Sequence, residues 1–218
     1  MDAQRGRGER AGLSRELILA AALTLVNRDG LKALSMRRLA GELGVEAMTL
    51  YHYLPSKDAL LDGLIEHVLA QALQLPEPGT DWRPLLRGYA DAMRAALLAN
   101  PAVLPLLLTR PAVTPATLAG VERALTALVT AGFPLGRALD AVNTLTVLVL
   151  GHAAAEVGVA GGTAERGDGS AAWVAELDEE RYPLLVRAAR TGQGTDDAER
   201  FTFAVDALLT GFATQLAR

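Results

Sequence analysis

Apolar residues return along this chain at intervals of three and four, the period of helices with one side turned inward. Ser14 suits an N-cap, and Leu17, Ile18, Ala21, Leu25 and Val26 then fall on one face until Asp29-Gly30 stops the run. Ser35 opens a second helix with Met36, Leu39, Ala40 and Leu43, closed by Gly44. A third short segment covers 46–53 and ends before Pro55, and Ser56 opens a fourth through Leu60, Leu61, Leu64, Val68 and Leu75. Further helices are predicted over 81–99, 101–108, 115–131, 135–158, 172–190 and 198–217, with Thr80 and Thr114 as caps and Pro115 at a first helical position. Gly161–Ser170 and Thr191–Asp197 read as loops. No stretch alternates as a strand would and no segment repeats, so the fold class is all-α.

Composition supports this reading. Half of the 218 residues are hydrophobic but only 5% are aromatic, and Ala and Leu lose little on entering a helix. With no cysteine there is no disulfide framework or thiolate metal site, which fits a reducing, cytoplasmic setting. The opening MDAQRGRGERAG is charged and lacks an apolar signal region, so it is expected to be a flexible basic arm over residues 1–12. The most apolar run, 144–155, falls short of the roughly twenty residues of a membrane span and reads as a buried helix.

Charge divides the chain unevenly. The net charge is −4, but residues 1–60 hold nine Arg/Lys against seven Asp/Glu, and the remainder holds twelve against eighteen. A mildly basic front on an acidic body suits an anionic partner at the front only.

The stretch GVEAMTLYHYLPSKDALLDG, 44–63, carries the most informative chemistry. Gly44 can take φ > 0 without a Cβ clash, so two short helices, 35–42 and 46–53, can meet in a tight turn. This arrangement reads as helix-turn-helix, with the second helix entering a DNA major groove. Leu50 and Leu54 anchor it, with Val45 beside the turn. Thr49 then faces phosphate or a thymine methyl, Tyr51 and Tyr53 offer hydroxyls to phosphates, and His52 can meet a base edge. Arg37 can fork onto guanine. Lys57 and the free N–H groups that follow Ser56 form an anion site. The alternative, that these aromatics are ordinary core, leaves the lysine-capped helix beside them without a purpose.

On these residues, through AALTLVNRDGLKALSMRRLAGELGVEAMTLYHYLPSKDALLDGL (20–64), the chain resembles the tetracycline-repressor (TetR) family of transcriptional regulators. The resemblance implies DNA contacts at Arg37, Thr49, Tyr51, Tyr53 and Lys57. It places Ala47, Met48 and His52 where operator choice varies. It also implies a helix-turn-helix domain over 13–58 and a ligand-binding and dimerisation domain over 59–218.

Two helices carry apolar stripes: Phe201, Val205, Leu208, Phe212 and Leu216 on one, and Leu139, Val142, Leu145, Val149 and Ala153 on the other, with Leu148 on a second flank. They could serve one protomer's own core. The resemblance implies instead a homodimer interface through Leu139, Val142, Val149, Phe201, Val205, Leu208 and Phe212, with reading helices roughly 34–36 Å apart on a palindromic double-stranded operator.

The body, in DWRPLLRGYADAMRAALLANP, LLLTRPAVTPATL and LVTAGFPLGRALDAVNTL, resembles that of the tetracycline repressor itself. This implies an effector chamber with Tyr89, Met93, Thr109, Arg110, Pro111, Glu122, Asn143 and His152 as candidates. Pro111 should keep Arg110 extended. Leu106 and Val147 stand where that repressor's metal-engaging histidines align, and the three histidines here are scattered. A small organic effector of largely apolar character is therefore expected, without metal or cofactor. No GxSxG, P-loop, GxGxxG or HExxH occurs, and no cysteine is available as a nucleophile, so no enzyme is expected. A helical protein-interaction adaptor is the rival reading.

Overall fold

The computed structural model describes residues 12–70, 81–110, 114–158, 172–194 and 196–216. Among these the regular elements are helices, with no strand. The Pro111 assignment, the 161–170 loop, the Leu75 end of the fourth helix and nearly all of the arm lie outside the described residues.

Serine caps set the first helices. Ser14 Oγ accepts from the Leu17 N–H at the start of α1 (Arg15–Asp29), and Gly30, at φ 79°, closes that helix by donating to Val26 O. A 3-10 turn, Leu31–Ala33, leads to Ser35, whose Oγ accepts from Arg38 N and starts α2 (Met36–Glu42). After α3 (Ala47–Tyr51), Ser56 Oγ accepts from Ala59 N to start α4 (Lys57–Leu69). Each such cap contributes about 1 kcal/mol.

The chain then forms α5 (Trp82–Ala99), a 3-10 turn at Pro101–Val103, α6 (Leu104–Thr109), α7 (Pro115–Thr130), α8 (Leu135–Glu156), α9 (Pro183–Thr191) and α10 (Asp197–Leu216). The single helix expected over 172–190 is broken: 172–175 is helical, a turn follows, and Tyr182 precedes α9. Pro183 is the reason, since it has no N–H to donate and its ring would strike the carbonyl of residue 179 in a continuous helix. Asp178 secures the turn by accepting from Glu180 N.

Two compact units result, Met1–Pro76 with Asp91–Arg123, and Glu77–Ala90 with Ala124–Arg218. In the first, α1 packs on α4, and the segment from the 3-10 turn to α6 packs on both regions of that pair. Its core includes Ile18, Leu19, Leu25, Leu39, Leu50, Leu54, Leu60, Leu64 and Ile65, all buried. In the second, α8 packs on α10, and Trp82 meets Phe133 edge-on at 5.1 Å. At 22 residues α8 is long and apolar enough to cross a membrane by length and composition alone, longer than the apolar run first read because the helix extends back through Arg137 and Asp140. Ala138, Ala141, Val142, Leu145, Val149, Ala153 and Ala154 are its buried residues.

The α1–α4 crossing is close enough to require glycine. A Cβ on Gly63 would lie 2.8 Å from Leu19 Cδ2 and 3.3 Å from an Arg15 guanidinium nitrogen. Leu19 is itself buried and has little room to yield. Gly63→Ala is therefore expected to lower unfolding free energy by about 1–3 kcal/mol in urea titrations. Gly88→Ala, where a Cβ meets open space on α5, should be neutral or stabilise by up to about 1 kcal/mol.

Candidate nucleic-acid interface

The turn between α2 and α3 is a Schellman closure. Gly44, at φ 65°, donates to Gly41 O at 3.2 Å, and Val45 donates to Ala40 O at 3.0 Å. A Cβ at position 44 would meet no atom within 4 Å, so the glycine answers a backbone demand rather than a steric one.

The helix that follows has only five residues and no side-chain cap. It stops short of the expected 46–53 because its last turn tightens: Tyr53 N donates to Leu50 O at 3.0 Å, an i→i+3 bond, and Leu54 precedes Pro55. His52 and Tyr53 thus sit in the closing turn. Leu50 and Leu54 are buried, and around them Met48 and Tyr51 stand 67% and 41% exposed. His52 is exposed, while Ala47, Thr49 and Tyr53 are half-buried with part of each side chain in solvent. Arg37, the second residue of α2, and Lys57, the first residue of α4, are both exposed. Since Ser56 takes the Ala59 N–H, the N–H groups of Lys57 and Asp58 have no intrahelical acceptor. The face can therefore present hydroxyls, an imidazole, two cations and free backbone donors to an anionic duplex.

An ion-pair network absent from the sequence reading braces this face. The Arg28 guanidinium donates to Asp29 at 2.9 Å and to Glu42 at 2.6 Å, and Arg38 also reaches Asp29. It ties the end of α1 to both ends of α2. The hydrogen bond from Arg28 holds the Asp29 carboxyl below its usual range, and the same guanidinium lowers Glu42. The spacing of 28, 29, 38 and 42 gives no period that would have revealed it.

The effector candidates divide between the two units. In the first, Met93 is buried, Glu122 is exposed, and Thr109 turns its hydroxyl back to Pro105 O at 2.7 Å. Arg110 has the extended backbone expected before proline, at φ −127° and ψ 133°. Its guanidinium reaches Asp58 at 2.9 Å and Asp62 at 3.1 Å, both on α4. In the second unit, Tyr89 OH lies 3.3 Å from Thr146 Oγ1, and burial raises its phenol pKa. Asn143 is exposed, and His152 packs edge-on against Phe201 at 5.2 Å, with Nδ1 3.7 Å from the Glu156 carboxylate. Leu106 is buried and Val147 is 68% exposed on α8. Among the described residues no group of three or more His, Asp or Glu could hold a metal ion.

The stripes of α8 and α10 split into two rows. Val142, Val149, Phe201 and Val205 are buried in the unit's own core. Leu139, Leu208 and Phe212 remain accessible, and Leu208 and Phe212 line a shallow groove with Thr144, Leu148, Ala204 and Gly211.

Comparison with known proteins decides the family. Residues 18–64 match the profile "Bacterial regulatory proteins, tetR family", and residues 75–216 match "Tetracyclin repressor-like, C-terminal domain". The chain belongs to the tetR family. The class D tetracycline repressor protein of Escherichia coli is 35% identical over 94% of this chain and 92% of its own length. The structure of the Streptomyces coelicolor TetR family protein ActR in complex with actinorhodin aligns with a TM-score of 0.79 at 26% identity, over 94% of this chain and 99% of that one. A TetR variant from Acinetobacter baumannii AYE in complex with minocycline aligns at 0.67 and 29% identity, over 93% and 98%. This tetR-family regulator accordingly has related transcriptional repressors across nearly its whole length.

The depressed carboxyls of Asp29 and Glu42 give the head of this regulator an acid sensitivity. A depressed folded pKa contributes stability above the ordinary carboxylate range of about 4, and that contribution is lost as pH falls through the folded value. The unfolding midpoint should drop between about pH 5 and about pH 3. Arg28→Ala, which removes the largest cause of both shifts, should flatten much of that drop in denaturant titrations across the range.

Proposed function

We propose that this chain is a cytoplasmic, effector-responsive transcriptional repressor that binds a palindromic operator as a homodimer. The observation that carries this reading is the exposure of Met48, Tyr51, His52 and Lys57, with Ala47, Thr49 and Tyr53 half-buried, around the buried Leu50 and Leu54. Thr49, Tyr51 and Tyr53 position the head on phosphates and thymine methyls, and Lys57 with the first N–H groups of α4 holds a further phosphate. Arg37 forks onto guanine, while Ala47, Met48 and His52 choose the operator. In this reading 13–58 is the DNA-binding domain, 59–218 binds effector and partner, and neither has a catalytic or membrane role.

One five-residue helix discriminates poorly alone, and pairing two on a two-fold axis supplies the missing affinity. The accessible row of α8 and α10, Leu139, Leu208 and Phe212, provides the surface for that pairing, with Val142, Val149, Phe201 and Val205 backing it from the core. Effector contacts are assigned to Tyr89, Met93, Thr109, Arg110, Pro111, Glu122, Asn143 and His152. The actinorhodin and minocycline complexes of related proteins support an organic effector. Release follows if that effector prefers the form that cannot span both half-sites, and the preference bounds the size of the response.

Two experiments test the proposal. Selection from random duplex DNA followed by salt-dependent binding should show that Lys57→Ala weakens every sequence and lowers the salt slope by about 1 per head. His52→Ala should instead change the sequences enriched. A chain that gives no selective, salt-steep binding would leave the adaptor reading standing. In sedimentation, Leu208→Asp with Phe212→Asp should move the protein from a dimer towards the 22.9 kDa of one chain while the helical spectrum persists. An unchanged dimer would refute the α8–α10 interface.

A further inference from the structure

The start of α4 carries a conflict. Lys57 and the free N–H groups favour an incoming phosphate, but Asp58 follows at once and Asp62 lies one turn on, on the same side of the helix. Two uncompensated carboxylates there would repel the ligand that the lysine attracts. Arg110, at the end of α6, forks across both: one terminal nitrogen lies 2.9 Å from Asp58 and the other 3.1 Å from Asp62. The Arg110 side chain is largely buried, and its backbone is extended, as expected before Pro111. The opposite end of the same segment is fastened as well. Asn100, just before the 3-10 turn, accepts from Asn27 on α1 at 3.0 Å while donating to Ala96 O at 2.9 Å. Residues 100–110 are thus stapled to α1 at one end and to α4 at the other, within a single compact unit.

We infer that Arg110 is a positioning residue for operator binding: by holding Asp58 and Asp62 it fixes the start of α4 and neutralises the carboxylates beside Lys57. The inference rests on the operator-binding reading above and deepens it. Arg110 itself does not touch DNA. Exposed ion pairs contribute little singly, and Asp58 is largely exposed, so the effect per head is modest. Two heads bind one operator together, and the loss counts twice.

The test uses the full chain and the duplex that the wild-type protein enriches most from random DNA. Arg110→Ala should weaken binding to that duplex about tenfold and leave the salt slope unchanged, since no phosphate contact is lost. Arg110→Lys, a point charge that cannot fork onto two carboxylates, should fall between. Asp62→Asn should also weaken binding, and combined with Arg110→Ala it should be no weaker than Arg110→Ala alone. Thermal unfolding of each variant separates this from loss of the fold. Should Arg110→Ala not fold, Arg110→Lys and Asp62→Asn, alone and together, carry the same comparison. Arg110→Ala binding within twofold of wild type, a salt slope reduced by about 1 per head, or effects of Arg110 and Asp62 that multiply independently would each overturn the inference alone. A wild-type chain that enriches no sequence would overturn the operator reading, and this inference with it.

Discussion

The burial of Leu50 and Leu54 is the constraint on which the DNA-facing surface depends. A five-residue helix cannot persist by its own hydrogen bonds, since the first turn fixes more torsions than it gains bonds. It exists because two leucines four apart enter the core formed by α1, α2 and α4, and because Gly44 closes the preceding helix in a left-handed turn. Anchoring through so narrow a strip has a direct consequence: the other side chains from Ala47 to Tyr53 have no core position to occupy. Their partial or full exposure is the geometric remainder of a minimal anchor.

Charge in the first unit is allocated with similar economy. Arg28 and Arg38 are held by Asp29 and Glu42 at the α1–α2 junction, and Arg110 is held by Asp58 and Asp62. Arg37 and Lys57 pair with no described carboxylate. The excess of positive charge in the first sixty residues is small, but it leaves Arg37 and Lys57 exposed on either side of the short helix. A weak net charge can therefore support a phosphate-binding face when internal pairing removes the competing carboxylates.

The helices of the second unit answer to two demands at once. One row of α8 and α10 closes the protomer's core through Val142, Val149, Phe201 and Val205. An adjacent row, with Leu208 and Phe212 beside the small residues Ala204 and Gly211, stays at the surface. This explains why both helices are apolar over more than one face: a stripe wide enough to serve the core alone would have left the groove polar. The same width lets α8 pass for a membrane span by composition while its innermost residues are packed among helices.

By itself the sequence determined the local events. Serine caps, the glycine turn, the leucine periodicity and the break before Pro55 each act over a few residues, and each helix start they specify was legible, as was the helix-turn-helix with Arg37, Thr49, Tyr51, His52, Tyr53 and Lys57 upon it. The break before Pro183 was missed although its signal was present, because apolar periodicity outweighed a proline that removes one donor and adds one clash. Tertiary structure alone decided the rest: that Gly63 admits Leu19 from α1, that one row of the α10 stripe is core and its neighbour surface, and that Arg110 turns to Asp58 and Asp62 across some fifty residues of chain. Periodicity reports which way a side chain points relative to its own helix axis, whereas its partner depends on how helices cross, and that is set by the summed packing of the whole core.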